Sequence, residues 1–431
     1  MRVLFTIVVG LLVAAPANAD TLLLQDGRAL VGPRVEEAPG GVTVHFEHGL
    51  VHVPAAHVLA HYDEGAPDEG IQRKAHLRHR RWRSRYVEEA GPFRFETTMS
   101  RSVFSLYRDR TLAFCRALRT ELGVEEPEGA SLKVCLYADQ LSFQQIGGAG
   151  GGTLSYFRFV PPQELDAFDD PVRRGTCLRA LQWATASYVL HLAFPDLPHT
   201  HPIQRALIDY YSAAEPLDGA PAAFRFGLPV GGHSEDLRHE LAGKPEATAS
   251  PLADETLERE PALAWAVVHL QMQDAARRAA LFRRLRSIDS VDSPDSSALL
   301  GLEAPESRRA LTQALTDHVG ALQPTTLVDW IAAGRAAEQH DDVARARSLY
   351  AQALIVAPQD PEALRHVAGL GNDEAPGTAA ASAWRAFLAV APLDLEAREH
   401  LARCLEAQGL TKESERETKL VLEIRQALTR P

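Results

Sequence analysis

The sequence predicts an α+β multidomain chain: a small N-terminal β module, a mixed α and β middle domain, and a C-terminal α-helical solenoid. Three observations predict it. Residues 20–62 alternate apolar and polar side chains between Asp-Gly and Gly-Gly turns. Residues 92–322 read in order as strand, helix, strand, Gly-rich loop, strand and helices. Beyond residue 325 the chain repeats its own pattern every 34 residues.

Composition bounds the answer before any motif does. The chain has 431 residues, 45% apolar and 24% charged, enough apolar surface to offset ordering entropy, so a wholly disordered chain is excluded. Its length suggests two to four domains at roughly 100–200 residues each. Its 29 glycines follow no triplet period, which excludes collagen, and four cysteines are too few for a disulfide scaffold. The formal charge of −12 argues against a dedicated nucleic-acid binder, which needs a basic surface to neutralise phosphates.

The first element is a leader. Met1-Arg2 precedes an apolar run from Val3 to Ala15, then Pro16-Ala17-Asn18-Ala19 and polar Asp20. That layout predicts a secretory signal peptide over 1–19, cleaved after Ala19. The run is short for a bilayer-spanning helix, and no later window is long and apolar enough for one. The expectation is an exported protein, periplasmic or extracellular, with no integral membrane segment in the mature chain. Loss of Arg2 takes the charge of the mature chain to −13. Cys115, Cys135, Cys177 and Cys404 would then sit in an oxidising compartment, as small buried hydrophobes or with a Cys115–Cys135 bridge.

The β module comes next. Strands are expected at 21–24, 29–32, 42–46 and 50–54, punctuated by Asp26-Gly27, Gly40-Gly41 and Gly49. This run resembles the SH3-like β modules at the start of exported bacterial proteins, which act as adaptors. His45, His48, His52, His57 and His61 are spread over it; the alternation of His45 and His52 with apolar neighbours favours solvent-facing positions over a metal site. Residues 63–91 read as a linker with a basic helix: Arg73, Lys74, Arg78, Arg80, Arg81, Arg83 and Arg85, interleaved with Trp82 and Tyr86. The simple reading is a solvated helix ended by Glu88, Glu89 and Gly91-Pro92, and the alternative is a grip on an anionic envelope polymer.

In the middle domain, 93–98 and 132–137 predict strands, and apolar residues from Val103 to Leu122 recur at helical spacing. The loop Gly147–Gly152 lacks the lysine of a phosphate-binding loop and reads as a connector into a strand at 153–159. Helices follow over 175–194 and 203–214. Asp169-Asp170 reads as cap chemistry for the first of them.

The last segment, 325–428, divides into units beginning at Leu327, Pro361 and Leu395. The first unit carries Trp330, Gly334, Ala346, Tyr350, Ala353 and Pro358, and the second Leu364, Ala368, Ala380, Trp384, Phe387 and Pro392. The third, with Ala402, Leu405, Ser414, Thr418 and Val421, is looser. These match the tetratricopeptide pattern. Small residues let paired helices approach, while Trp330, Tyr350 and Trp384 are repeat-packing positions. Such repeats imply a protein or peptide partner; which concave-face residues would touch it is open, as is the oligomeric state.

The element order of the middle domain resembles the peptidase-MA-like zincin fold, and in particular a bacterial family of exported, uncharacterised proteins that joins a β module, this domain and tetratricopeptide repeats. In the gluzincin branch one helix carries H-E-x-x-H, whose histidines bind zinc and whose Glu polarises water, and a Glu on a following helix is the third ligand. Here the matching stretch is Leu181-Gln182-Trp183-Ala184-Thr185-Ala186. Gln182 and Ala186 replace the two histidines, and Trp183 replaces the Glu. In the second motif, Pro202 to Tyr211, Arg205 stands at the third ligand and Ala206 at the following Gly. Ala262 to Leu270 resembles the family's helix after the active site. Gln is a poor zinc ligand, Ala has no donor, Arg repels a cation and Trp cannot act as a base. The resemblance therefore implies a degenerate, zincin-like α+β domain without zinc, cofactor or hydrolysis. One alternative uses displaced ligands, His191, His199 and His201, with His233 and His239-Glu240 in the next loop. The expected function is a non-catalytic exported pseudo-metallopeptidase that binds protein or peptide. The alternatives are a zinc metallopeptidase with unconventional ligands, and polymer binding through residues 73–85.

Overall fold

A computed structural model describes residues 20–63, 82–125, 132–217 except 149 and 151, 219–243, 254–288, 295–302, 305–374 and 377–429. The expected leader, the basic run up to Arg81, and Ala149 and Gly151 of the Gly-rich loop lie outside the described residues.

The N-terminal module holds two three-stranded sheets. Strands β1 (Thr21–Leu24), β2 (Ala29–Val31) and β6 (Val58–Tyr62) form one in the order β2-β1-β6, all antiparallel. Strands β3 (Arg34–Ala38), β4 (Gly41–Phe46) and β5 (Gly49–Pro54) form the other in sequence order. Alternation puts Val42, Val44, Val51 and Val53 inside and leaves His52 exposed. So small a core needs help, and the other end of the chain supplies it. Leu420, Ile424 and Ala427 of the last helix share one buried cluster with Leu22, Leu30 and these valines.

The middle region is built on a five-stranded mixed sheet. Its order is β10 (Ser155–Arg158), β11 (Glu164–Phe168), β9 (Leu132–Tyr137), β8 (Phe93–Thr97), β7 (Tyr86–Ala90). The central pairs β8/β9 and β9/β11 are parallel and both edges antiparallel. Helices α1 (Arg101–Leu122) and α3 (Arg174–Ala193) cover one face; Phe93 and Phe157 meet Tyr188 of α3 edge-on, and Phe95 meets Phe104 of α1. The short α2 (Gln140–Gly147) covers part of the other face, with Phe143 against Tyr137, Tyr156 and Phe168.

Helix α4 (Pro202–Ser212) and the hairpin β12 (Glu215–Leu217)/β13 (Ala220–Arg225) follow, then α5 (Gly231–Gly243), α6 (Asp254–Arg259), α7 (Pro261–Gln273), α8 (Ala275–Arg286), α9 (Ser296–Leu300) and α10 (Pro305–Ala321). Helix α7 is apolar nearly all round and is buried, with Trp265 fully enclosed.

Three helical hairpins complete the chain: α11 (Leu327–Gln339) with α12 (Val343–Val356), α13 (Pro361–Glu374) with α14 (Thr378–Val390), and α15 (Leu395–Ala407) with α16 (Thr411–Thr429). Each hairpin begins at the residue where the 34-residue register places a unit. Gly334 lies under Tyr350, so close that a Cβ would stand 2.5 Å from the ring.

Four local expectations change. Residues 86–90 are a strand paired with β8, not the end of a helix; the turn at Gly91-Pro92 closes a hairpin, and among the described residues of this stretch Trp82–Ser84 make a helical turn. Paired to β8, this segment satisfies its backbone in a sheet that a solvated helix would not reach. Strand β11 and helix α2 lie in stretches given no element by periodicity. All four cysteines are buried and none is in a disulfide, so of the two readings for them the small buried hydrophobe holds and the Cys115–Cys135 bridge does not form. His233 and His239-Glu240 belong to α5 rather than to a loop.

Candidate functional site

Gln182, Trp183, Ala186 and Arg205, the residues singled out by the zincin resemblance, sit where helices α3 and α4 meet. Gln182 is buried; its carbonyl accepts from Arg110 Nε and Nη2 at 3.1 and 3.0 Å, and its amide donates to Ala214 O at 2.9 Å. Trp183 donates from Nε1 to Asp209 Oδ1 at 2.8 Å. Ala186 is a fully buried methyl group. Arg205 is exposed and carries no ion pair among the described residues. Gln182 thus reaches the C-terminal end of α4 while Arg205 lines a cavity near its start, so the four positions do not share one focus.

A buried ion network runs from this point out of the middle domain. Arg110 and Arg179 both bond Glu215 at 3.2 Å, and Arg179 reaches Asp329 Oδ1 of α11 at 3.0 Å. Thr326 donates to the other Asp329 oxygen at 2.6 Å. Burial opposes the Arg179 charge, but Asp329 and Glu215 outweigh it and hold its pKa above the usual range. Burial lowers that of Arg110, with Glu215 countering. Thr176 of α3 donates to Glu362 of α13 at 2.6 Å, and Arg345 of α12 forks onto Glu235 of α5 at 3.0 and 3.1 Å. Helices α11, α12 and α13 are therefore fastened to the middle region.

Two cavities open beside these contacts. One, about 290 Å³, is lined by Thr200, His201, Arg205, Asp209 and Glu258 among others. Beneath it Asp209 also bonds His233 Nε2 at 3.0 Å; burial opposes protonation there, but Asp209 outweighs it and raises the His233 pKa. The other, about 470 Å³, lies where all three parts of the chain meet. Arg28 and His57 come from the β module, Asp139 and Arg174 from the middle region, and Arg365 and Asp394 from the C-terminal hairpins. Asp169 forks onto Arg174 at 2.8 and 2.9 Å, and Asp170 accepts from Val172 N at 3.0 Å and pairs with Arg173. Both carboxylates order the turn before α3 and neither is its cap residue; that position is Arg173, whose own side chain makes no capping bond.

The three displaced candidates do not converge. His191 and His199 flank Phe159, with His199 stacked on it at 4.4 Å between centroids. Burial, and then His199, lower the His191 pKa. His201 is buried as the cap of α4, its Nδ1 accepting from Ile203 N at 3.2 Å. Among the described residues they form no metal-sized group. Trp330 is half-buried, and Tyr350 and Trp384 are packed inside the helical hairpins.

No sequence pattern signals the Arg179–Asp329 pair or the Asp209–His233 pair, because neither partner is near the other in the chain. Comparison with known protein families, with curated proteins and with solved structures finds no match for this chain.

Proposed function

We propose that the chain is a non-catalytic exported protein with a zincin-like middle domain that has lost its metal site, and that it holds a protein or peptide partner. Its C-terminal hairpins are read as tetratricopeptide repeats. The carrying observation is the state of the α3–α4 contact: Gln182 and Trp183 are committed to Arg110, Ala214 and Asp209, and Ala186 offers no donor. A zinc ion there would need donors that these residues do not supply.

The repeat reading is supported by three hairpins in a 34-residue register and by the Gly334–Tyr350 contact. Because α11 is fastened to α3 and α12 to α5, part of the repeat surface is covered by the chain itself. The junction cavity is the opening left for a partner, and its size is in the range of pockets that take a small ligand or a peptide side chain. Arginines and aspartates on its wall suit a peptide carrying both backbone polar groups and charge.

Metal analysis of the mature protein separates this reading from a peptidase that uses His191, His199 and His201. The expected result is the same zinc content in wild type and in the His199→Ala/His201→Ala double variant. Loss of one zinc equivalent in that variant, with the fold intact, would overturn the proposal.

A further inference from the structure

We propose that the outer face of the five-stranded sheet holds a thiophilic divalent cation, zinc by its chemistry, between Cys135 Sγ and the carboxylates of Glu164 and Asp166. This site lies on the opposite side of the sheet from α3 and is independent of the α3–α4 contact.

Strand register builds it. Asp166 of β11 is the direct partner of Cys135 of β9, and Glu164 stands two residues before Asp166 on the same face. One donor atom from each lies within 4.8 Å of the others. Zinc bonds of about 2.0–2.3 Å put neighbouring donors roughly 3.5 Å apart, so small side-chain rotations close the set. Cys135 and Asp166 are both fully buried, and Glu164 nearly so.

An unmet buried acceptor marks the place for a cation. Asp166 Oδ1 accepts from Tyr137 Oη at 2.9 Å, while Oδ2 is buried with no hydrogen-bond partner among the described residues. Tyr156, beside it on β10, spends its hydroxyl proton on Gly147 O. Lys133 Nζ serves Glu164 at 2.8 Å, and Arg158 lies 3.8 Å from the same carboxylate. Among the described residues no comparable cation pairs with Asp166. A buried acceptor without a partner is costly, and a divalent ion would satisfy Oδ2 and the thiolate together. The other metal-sized group, Glu47, His48 and Glu423, is partly exposed and already closed by the His48–Glu423 bond.

Cobalt(II), a spectroscopic stand-in for zinc, tests the site in the reduced, chelator-stripped full chain. The expected result is a thiolate-to-cobalt charge-transfer band that saturates at one equivalent and is displaced by zinc. Cys135→Ser should abolish it. Glu164→Gln, at the more accessible ligand, should weaken binding, and Tyr137→Phe should weaken it by about 10–100-fold as the loss of an outer-shell partner. His48→Ala and the His199→Ala/His201→Ala double variant should leave it unchanged. Circular dichroism checks that each variant is folded. If the wild-type chain shows no such band, or the band survives Cys135→Ser, a proton shared by Glu164 and Asp166 replaces the cation and the proposal fails.

Discussion

Asp329 and Arg179 form an ion pair with almost no access to water, the Asp329 side chain being 1% exposed and that of Arg179 14%. Removing one partner strands the other charge. Asp329→Ala should cost about 3–5 kcal/mol by urea unfolding, against a much smaller loss for a double replacement by apolar residues. His269 of α7 gives a pH signature. Its Nε2 meets Gly227 O at 3.2 Å and its Nδ1 meets His318 Nε2 at 2.9 Å; burial, and then His318, lower its pKa to about 4. The folded value lies below the unfolded 6.5, so the unfolded state binds more protons between them. Stability is therefore full above about pH 6.5 and falls as pH drops toward 4, by about 3 kcal/mol in all. Urea midpoints at pH 7 and pH 4.5 should differ more in wild type than in His269→Gln. Neither pair was legible in the sequence: Arg179 and Asp329 are 150 residues apart, and no local pattern marks either as a partner.

Helices with strong apolar spacing were legible. The expected helix at 103–122 is α1, that at 175–194 is α3, and Leu327, Pro361 and Leu395 open α11, α13 and α15. Strand β11, Glu164–Phe168, was hidden because it is buried on both faces while carrying two carboxylates, a composition that reads as loop. Residues 86–90 were hidden by the charge run before them. Gln182, Trp183, Ala186 and Arg205 fall on two adjoining helices, as expected from the sequence, but what Gln182 and Trp183 touch depends on Arg110, Asp209 and Ala214, which no pattern links to them. At this scale the Gly334–Tyr350 contact makes a direct prediction. Gly334→Val drives its side chain into the Tyr350 ring, and overpacking should cost about 1–3 kcal/mol, read as a lowered Tm, with Gly334→Ala less affected.

The two ends of the described chain close on each other. The β module rests its valines on α16, His48 bonds Glu423, and Ser100 at the start of α1 donates to Gln25 O at 2.9 Å. The module thus touches both the middle domain and the last hairpin, and the 470 Å³ cavity is a product of that closure. Deleting α16 should uncover the module's core, so amide hydrogen exchange over residues 21–54 should rise while that of α3 changes little. By the proposed function, the α3–α4 contact supports no metal-dependent hydrolysis. The direct measurement is cleavage of an unfolded protein substrate by the purified chain, with added zinc and with a chelator. The expected result is no chelator-sensitive cleavage above the background of a sample without the protein. Chelator-sensitive turnover that disappears in His199→Ala/His201→Ala, while persisting in Cys135→Ser, would contradict it.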